Sequence, residues 1–306
     1  MKKWLLRFAF IILGLPVILL LVVAIAFLLV NRTNGTLVSS GEKRSYLLYV
    51  PNGYDSATPT PLVISMHGFA EWPAHQMQIS HWNELAEQYG FIVVYPSGTR
   101  FPLRWRVSGR PGSDTDPMLD VIFISDLIDK LESEYNIDPA RVYANGLSNG
   151  GGMSFVLSCK LSERIAAIGS VAGAYLLPWE ECRPARAVPA IIFHGTADHV
   201  VPYRGGPSRS FDIPFPDISE WVASLAQHNE CNSTPQEIPP SGEVSGIQFT
   251  DCASHADVVF YTIAGGGHSW PGGKPMPEFI VGYTTRDIDA TRAMWNFFQG
   301  HPLTRK

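Results

Sequence analysis

The chain has 306 residues, and its 23 Lys and Arg against 28 Asp and Glu give a formal net charge of −5. Residues 1–30 hold Lys2, Lys3 and Arg7 and no acid, so the remainder carries 20 basic and 28 acidic side chains; such a surface repels a phosphate backbone, and no Lys/Arg run offers a patch against it, which excludes nucleic-acid binding. Apolar residues at 45% allow a sizeable core and exclude a disordered chain, and 27 Gly with 24 Pro predict well-developed loops.

Phe8–Val30 is 23 residues long without a charged or polar side chain. As a helix it is about 34 Å long, enough to cross a hydrocarbon core of about 30 Å. Lys2, Lys3 and Arg7 precede it and only Arg32 follows closely. The positive-inside rule then keeps the N-terminus in the cytoplasm and predicts a membrane partner through an anchor at 1–30. A cleaved signal peptide is the rival, but its apolar stretch is usually ~7–15 residues and ends in a small-x-small site. Either way the chain from about Asn31 onward lies outside the cytoplasm. Residues 31–41 read as a polar linker and 42–306 as one catalytic domain.

Strands are predicted at Tyr46–Val50, Leu62–His67, Phe91–Tyr95, Arg141–Ala144, Ala166–Val171, Ala190–His194 and Val258–Ile263. Several are continuous apolar runs, as a buried parallel sheet requires. Helical spacing appears over Asp120–Tyr135, Asp217–His228 and Asp289–Phe298. Strands alternating with helices predict an α/β fold, a mostly parallel sheet with helices on both faces. Segments 100–118, 172–189 and 202–216 are Pro/Gly-rich and fall on its rim. Cys159, Cys182, Cys231 and Cys252 are an even set in an oxidising compartment. They read as two disulfides with three pairings open, and no C-x-x-C pair suggests zinc.

The strongest chemical signal is Gly146-Leu147-Ser148-Asn149-Gly150, after a strand and before a helical stretch. This is a nucleophile elbow: the turn is so tight that positions two before and two after Ser148 must lack bulk. A serine hydroxyl needs a base, and the base an orienting carboxylate. His268 in Gly265-Gly266-Gly267-His268-Ser269-Trp270-Pro271-Gly272 follows the last strand and is the candidate base. Its spacing does not fit a dinucleotide or phosphate loop, because Trp270 fills the third glycine's place and no Lys follows. Asp198, in the loop after Ala190–His194, is the candidate carboxylate; Asp212, Asp217 and Asp257 also lie between Ser148 and His268, but none follows a buried strand so closely. The order Ser148, Asp198, His268 is that of α/β hydrolases. Oxyanion donors are expected from the N–H groups of Asn149 and Phe69, with Ala70 as the alternative to Phe69. His67 reads as structural, and Trp72, His75 and His81 as a solvated loop and helix start. Trp270, Trp105 and Tyr203 are candidates for an aromatic wall around the acyl or aryl group.

Tyr46-Leu-Leu-Tyr-Val-Pro, Pro61-Leu-Val-Ile-Ser-Met-His-Gly, Asn145-Gly-Leu-Ser-Asn-Gly-Gly-Gly-Met, His194-Gly-Thr-Ala-Asp and Gly266-Gly-His-Ser-Trp-Pro-Gly resemble the polyhydroxybutyrate depolymerase / feruloyl esterase family of α/β hydrolases. The resemblance runs over roughly 40–300 and is most specific at His-Ser-Trp-Pro-Gly. It implies secreted carboxylic-ester hydrolases acting on feruloyl or acetyl esters of plant walls or on polyesters of 3-hydroxy acids, with no metal or organic cofactor. The long N-terminal span departs from simple secretion. The expectation is therefore an extracytoplasmic, membrane-tethered serine esterase with an ester or polyester as its partner. A serine peptidase of the same fold is a second reading, for which about 270 residues leave little room for a further recognition domain. A non-catalytic binding domain is the third, and an intact Ser, Asp and His in this order speak against it.

Overall fold

The computed structural model describes residues 17–19, 21–22, 30–108, 115–208, 211–212 and 214–304. The expected anchor at 1–30 lies almost wholly outside these; among the described residues no helix is long and apolar enough to cross a membrane.

Among the described residues, ten strands form one sheet: β1 (Gly35–Ser39), β2 (Glu42–Tyr49), β3 (Thr60–Met66), β4 (Ile92–Pro96), β5 (Ile137–Leu147), β6 (Ala167–Val171), β7 (Ala190–Gly195), β8 (Gln236–Ser241), β9 (Val244–Phe249) and β10 (Val258–Ile263). Their order is β1-β2-β4-β3-β5-β6-β7-β10-β9-β8. The six central strands β4-β3-β5-β6-β7-β10 run parallel, and antiparallel pairs finish both sides. Around the sheet stand the α-helices α1 (Pro73–Ser80), α2 (Trp82–Tyr89), α3 (Pro117–Glu134), α4 (Asn149–Lys160), α5 (Ile218–His228), α6 (Glu278–Val281) and α7 (Ala290–Gln299).

Alternation along the central strands divides the core in two. Leu62, Ile64 and Met66 of β3 pack with Ile124, Ile128 and Leu131 of α3 and Val156 of α4. Val63, between them, faces the opposite layer with Trp82 and Leu85 of α2 and Met294, Trp295 and Phe298 of α7. Asp116 caps α3 by accepting Met118 N–H, and Pro117 opens it, because a first-turn proline has no N–H to lose. The helix therefore starts three residues before the expected Asp120.

Two expectations are corrected. The linker at 31–41 is in part a strand: β1 pairs with β2 from Gly35↔Tyr46 to Ser39↔Glu42. Ser40 and Gly41, both at positive φ, form the two-residue turn that suits a right-twisted hairpin. Of the solvated loop and helix start expected at Trp72, His75 and His81, the helix start is there as α1, capped by Trp72, but Trp72 and His75 are half-buried; exposed His81, at positive φ, joins α1 to α2. The cysteines form Cys159–Cys182 and Cys231–Cys252. The first ties α4 to the rim loop after β6, and each closes a loop worth about 3 kcal/mol in the chain-entropy model.

Candidate active site

Ser148, Asp198 and His268 leave the same edge of the sheet, because β5, β7 and β10 are parallel and all three residues follow carboxyl ends. Ser148 sits at φ 57°, ψ −117°, a conformation that costs a non-glycine residue about 1–3 kcal/mol and persists only when its surroundings fix it. Those surroundings are backbone: Ser148 N–H donates to Val171 O at 2.8 Å, and Ser148 O accepts Gly152 N–H at 2.9 Å and Ala174 N–H at 3.0 Å. The flanking glycines are obligatory. A Cβ on Gly146 would stand 2.4 Å from Gly150 C, and one on Gly150 would stand 2.2 Å from Met66 O. Gly152 lets α4 approach the loop after β6, where Ala174 O would lie 2.1 Å from an added Cβ. Although Ser148 occupies the cap position of α4, its side chain caps none of the helix N–H groups.

The loops after β7 and β10 are stitched together. Thr196 N–H donates to Ile263 O at 2.9 Å and Ala197 N–H to Gly266 O at 2.9 Å. Gly195 permits this approach, since a Cβ there would be 2.2 Å from Gly266 O. The result sets Asp198 Oδ2 at 2.7 Å from His268 Nδ1. Asp198 Oδ1 accepts Val200 N–H at 2.8 Å and Val201 N–H at 2.9 Å, which fixes the carboxylate's rotation. His194, not singled out from the sequence, adds Nε2 at 3.4 Å from Asp198 Oδ2 while bonding Val201 O at 2.9 Å. Burial alone would push the Asp198 carboxyl up; the charge of His268 and the bonds from His194 and His268 outweigh it and hold Asp198 well below the usual carboxylate range. Burial likewise pulls the His268 imidazole down, but the charge and bond of Asp198, with a smaller contribution from Glu71, leave it raised. The rival carboxylates are otherwise engaged. Asp217 caps α5 through Ser219 N–H and Glu220 N–H, Asp257 accepts Gln248 Nε2, and Asp212 is exposed.

Beside Ser148 lies the loop after β3. Ala70 N–H donates to Leu103 O at 2.8 Å, which removes it as an oxyanion donor. Among the described residues neither Phe69 N–H nor Asn149 N–H has an acceptor, and the latter opens α4 at the positive end of its dipole. The Asn149 side chain is clamped on the Trp105 backbone, accepting its N–H at 2.6 Å and donating to its O at 3.2 Å.

The expected aromatic wall is corrected. Trp105 and Trp270 are each 2% exposed. Trp105 Nε1 donates to His67 O at 3.0 Å and Trp270 Nε1 to Thr291 Oγ1 at 2.8 Å, so both are core residues beneath the site. Each needs a partner for its N–H, and each finds it inside. Tyr203 is half-buried; its hydroxyl bonds Ser219 Oγ and Thr262 Oγ1, and it lines a shallow cavity of about 390 Å³ that includes none of the three candidate catalytic residues.

His67 lies under the loop after β3 and is fully buried. Its Nε2 accepts Gly98 N–H at 2.9 Å, so Nδ1 carries the proton and donates to Gly68 O at 2.7 Å. Burial lowers its pKa from 6.5 to about 4, against the Gly68 carbonyl and the charges of Glu71 and Asp120. Protons between those two values bind the unfolded chain preferentially. The stability this group permits at pH 7 should therefore fall as pH drops from 6.5 towards 4, by about 3 kcal/mol in all. Urea unfolding at pH 7, 5.5 and 4.5, with the imidazole followed by NMR, checks this; an imidazole titrating at its ordinary value in the folded protein would sink it.

Comparisons with known proteins agree with this architecture. The family model described as "Esterase PHB depolymerase" matches residues 44–178. Feruloyl esterase B of Piromyces equi is 31% identical over 245 residues, 78% of this chain, and the chain spans 45% of that relative's length. Putative esterase NocK of Nocardia uniformis subsp. tsuyamanensis is 29% identical over 288 residues, 88% of this chain and 83% of the relative. The acetyl xylan esterase from Aspergillus awamori superposes with a TM-score of 0.56 at 18% identity, over 74% of this chain and 89% of its own, which shows a shared fold. With the motifs, the sheet and these matches together, the chain belongs to the polyhydroxybutyrate depolymerase / feruloyl esterase family of α/β hydrolases.

Proposed function

We infer that the protein is a serine carboxylic-ester hydrolase working through an acyl-enzyme, with feruloyl or acetyl esters of polysaccharides, or a polyester, as the substrate class. The observation that carries this is the 2.7 Å Asp198–His268 bond on the same sheet edge as a strained, nearly buried Ser148 at the head of α4. With Nδ1 engaged by Asp198, His268 has Nε2 as its basic atom. It takes the Ser148 proton as Oγ attacks the ester carbonyl, and Phe69 N–H and Asn149 N–H receive the oxyanion. Collapse expels the alcohol, which leaves with the proton from His268; water then repeats the sequence on acyl-Ser148. A peptidase has no observation in its favour, and a binding module has no use for the strain at Ser148.

For the substrate's apolar part, the reading replaces the aromatic wall with a groove of about 420 Å³ lined by Tyr175, Leu176, Trp179, Pro214, Pro216 and Trp221. It begins one residue after Ala174, whose N–H bonds Ser148 O. Trp221 stacks on Tyr175 at 3.5 Å and on Trp179 at 5.6 Å, a rigid aromatic floor. Trp179→Ala should raise KM for methyl ferulate several-fold and leave KM for a short acetyl ester within about twofold; equal changes would remove the groove from substrate binding. In the same reading the catalytic unit stands outside the cytoplasm, tethered through 1–30 or released by cleavage. Its two disulfides and the uncharged run Phe8–Val30 support that placement. The function is tested by initial rates on methyl ferulate and on a 3-hydroxybutyrate polyester film, with Ser148→Ala as the blank. No excess over that blank on either substrate would overturn it.

A further inference from the structure

One carboxylate stands inside the candidate centre without a part in the Ser148–His268–Asp198 arrangement. Glu71, 18% exposed in its side chain, accepts Gly68 N–H on Oε2 at 2.9 Å, and His75 Nδ1 lies 3.5 Å from the same oxygen. Together with Glu71 N–H to Gly68 O at 3.3 Å and Ala70 N–H to Leu103 O, this engages three of the four N–H groups in Gly68–Glu71. Phe69 N–H is the fourth. Gly68 itself touches the nucleophile's surroundings: a Cβ there would stand 2.9 Å from Glu71 Oε2 and 3.4 Å from Ser148 Cβ. The carboxylate, the glycine and the serine are thus successive layers.

A turn can be closed by a neutral Asn, Ser or Thr side chain. A charged group here is an odd choice on packing grounds, because a negative charge beside a developing oxyanion opposes it. Its charge has other counterparts. The titratable groups facing it are His75 on α1, His67 beneath the loop and His268 across the site. Burial would push the Glu71 carboxyl up, but the bond and charge of His75, the Gly68 N–H and His67 outweigh it and keep the group ionised.

We propose that Glu71 is a positioning residue for ester hydrolysis: its carboxylate clamps Gly68 N–H so that Phe69 N–H is presented to the oxyanion, and its charge favours the His268 imidazolium formed as Ser148 attacks. This rests on the catalytic roles given to Ser148, His268 and Phe69 above. Glu71→Ala removes the clamp and the charge; Glu71→Gln keeps an oxygen that can accept Gly68 N–H and removes only the charge. For Glu71→Ala, kcat should fall about 100-fold, the scale of a lost oxyanion donor, with KM within about twofold. Glu71→Gln should recover at least tenfold of that loss, with the acid limb of its kcat/KM profile moved to lower pH. Normal kcat in Glu71→Ala overturns the proposal. Equal loss in both variants with an unshifted acid limb also overturns it, leaving only a packing role. Should Glu71→Ala fail to fold, the acid limb of Glu71→Gln decides alone, and an unshifted limb overturns the proposal. Failure of the esterase reading itself looks different, because the native protein would then show no hydrolysis in excess of Ser148→Ala.

Discussion

Ser148→Ala should abolish ester hydrolysis and fluorophosphonate labelling, a loss on the order of 10⁵–10⁶-fold in kcat, while leaving the unfolding midpoint within about 1 °C. The separation between activity and stability follows from how Ser148 is held. Its strained backbone is fixed by Val171 O, Gly152 N–H and Ala174 N–H, none of which involves the hydroxyl. Alanine keeps the same Cβ at φ 57°, so the strain is unchanged, and the side chain caps nothing in α4 that could be lost. The acyl-enzyme route in contrast has no substitute for Oγ. Residual hydrolysis would come from the oxyanion donors and His268 acting on water alone. Near-normal turnover would remove Ser148 from the mechanism, and retained labelling would point to another nucleophile.

The parts of this fold that were legible in sequence are those buried on both faces. Leu62–Met66, Ala190–His194 and Val258–Ile263 are continuous apolar runs because their strands lie in the parallel middle of the sheet, between two helical layers. The edge strands carry no such signal. β8 includes Pro239 and Pro240, tolerated because an edge strand has N–H groups without a neighbour, and β1 alternates half-exposed residues in what reads as a polar linker. A signal for β1 did exist in Ser40-Gly41, a two-residue hairpin turn. Ser148, Asp198 and His268 were legible because each follows a buried strand and the turn chemistry of the first is severe. The surroundings were not. Trp105 and Trp270 are aromatic residues in rim-like sequence contexts, yet each has an internal acceptor for its indole N–H that no local pattern records. The Trp179 groove depends on contacts between distant loops, so spacing along the chain carries no trace of it. His194 and Glu71 bond partners only three to seven residues away, a spacing that any loop offers and that does not by itself mark a site.

Asp198→Asn should lower kcat about 10³–10⁴-fold without unfolding the protein, and the reason is a forced tautomer. Val200 N–H and Val201 N–H both donate to Asp198 Oδ1, at 2.8 and 2.9 Å. An asparagine amide must therefore turn its oxygen towards these two donors and its NH₂ towards His268 Nδ1. An NH₂ group donates, so His268 Nδ1 must become the acceptor and its proton moves to Nε2. The ring then has no lone pair for the Ser148 proton. A titration separates this from a general loss of structure. In the proposed role His268 is a base only when neutral, and Asp198 raises its pKa, so kcat/KM of the native protein should climb through a midpoint above 6.5 as pH rises. In Asp198→Asn the stabilising charge is gone and burial dominates, so the residual activity should climb at lower pH. Esterase assays from pH 5 to 9 on both proteins, with folding checked by thermal denaturation, read both effects. An unmoved midpoint would mean that Asp198 does not set the proton affinity of His268. A loss below tenfold would mean that the imidazole finds its working tautomer without the carboxylate, and His194, 3.4 Å from the same oxygen, would be the next side chain to replace.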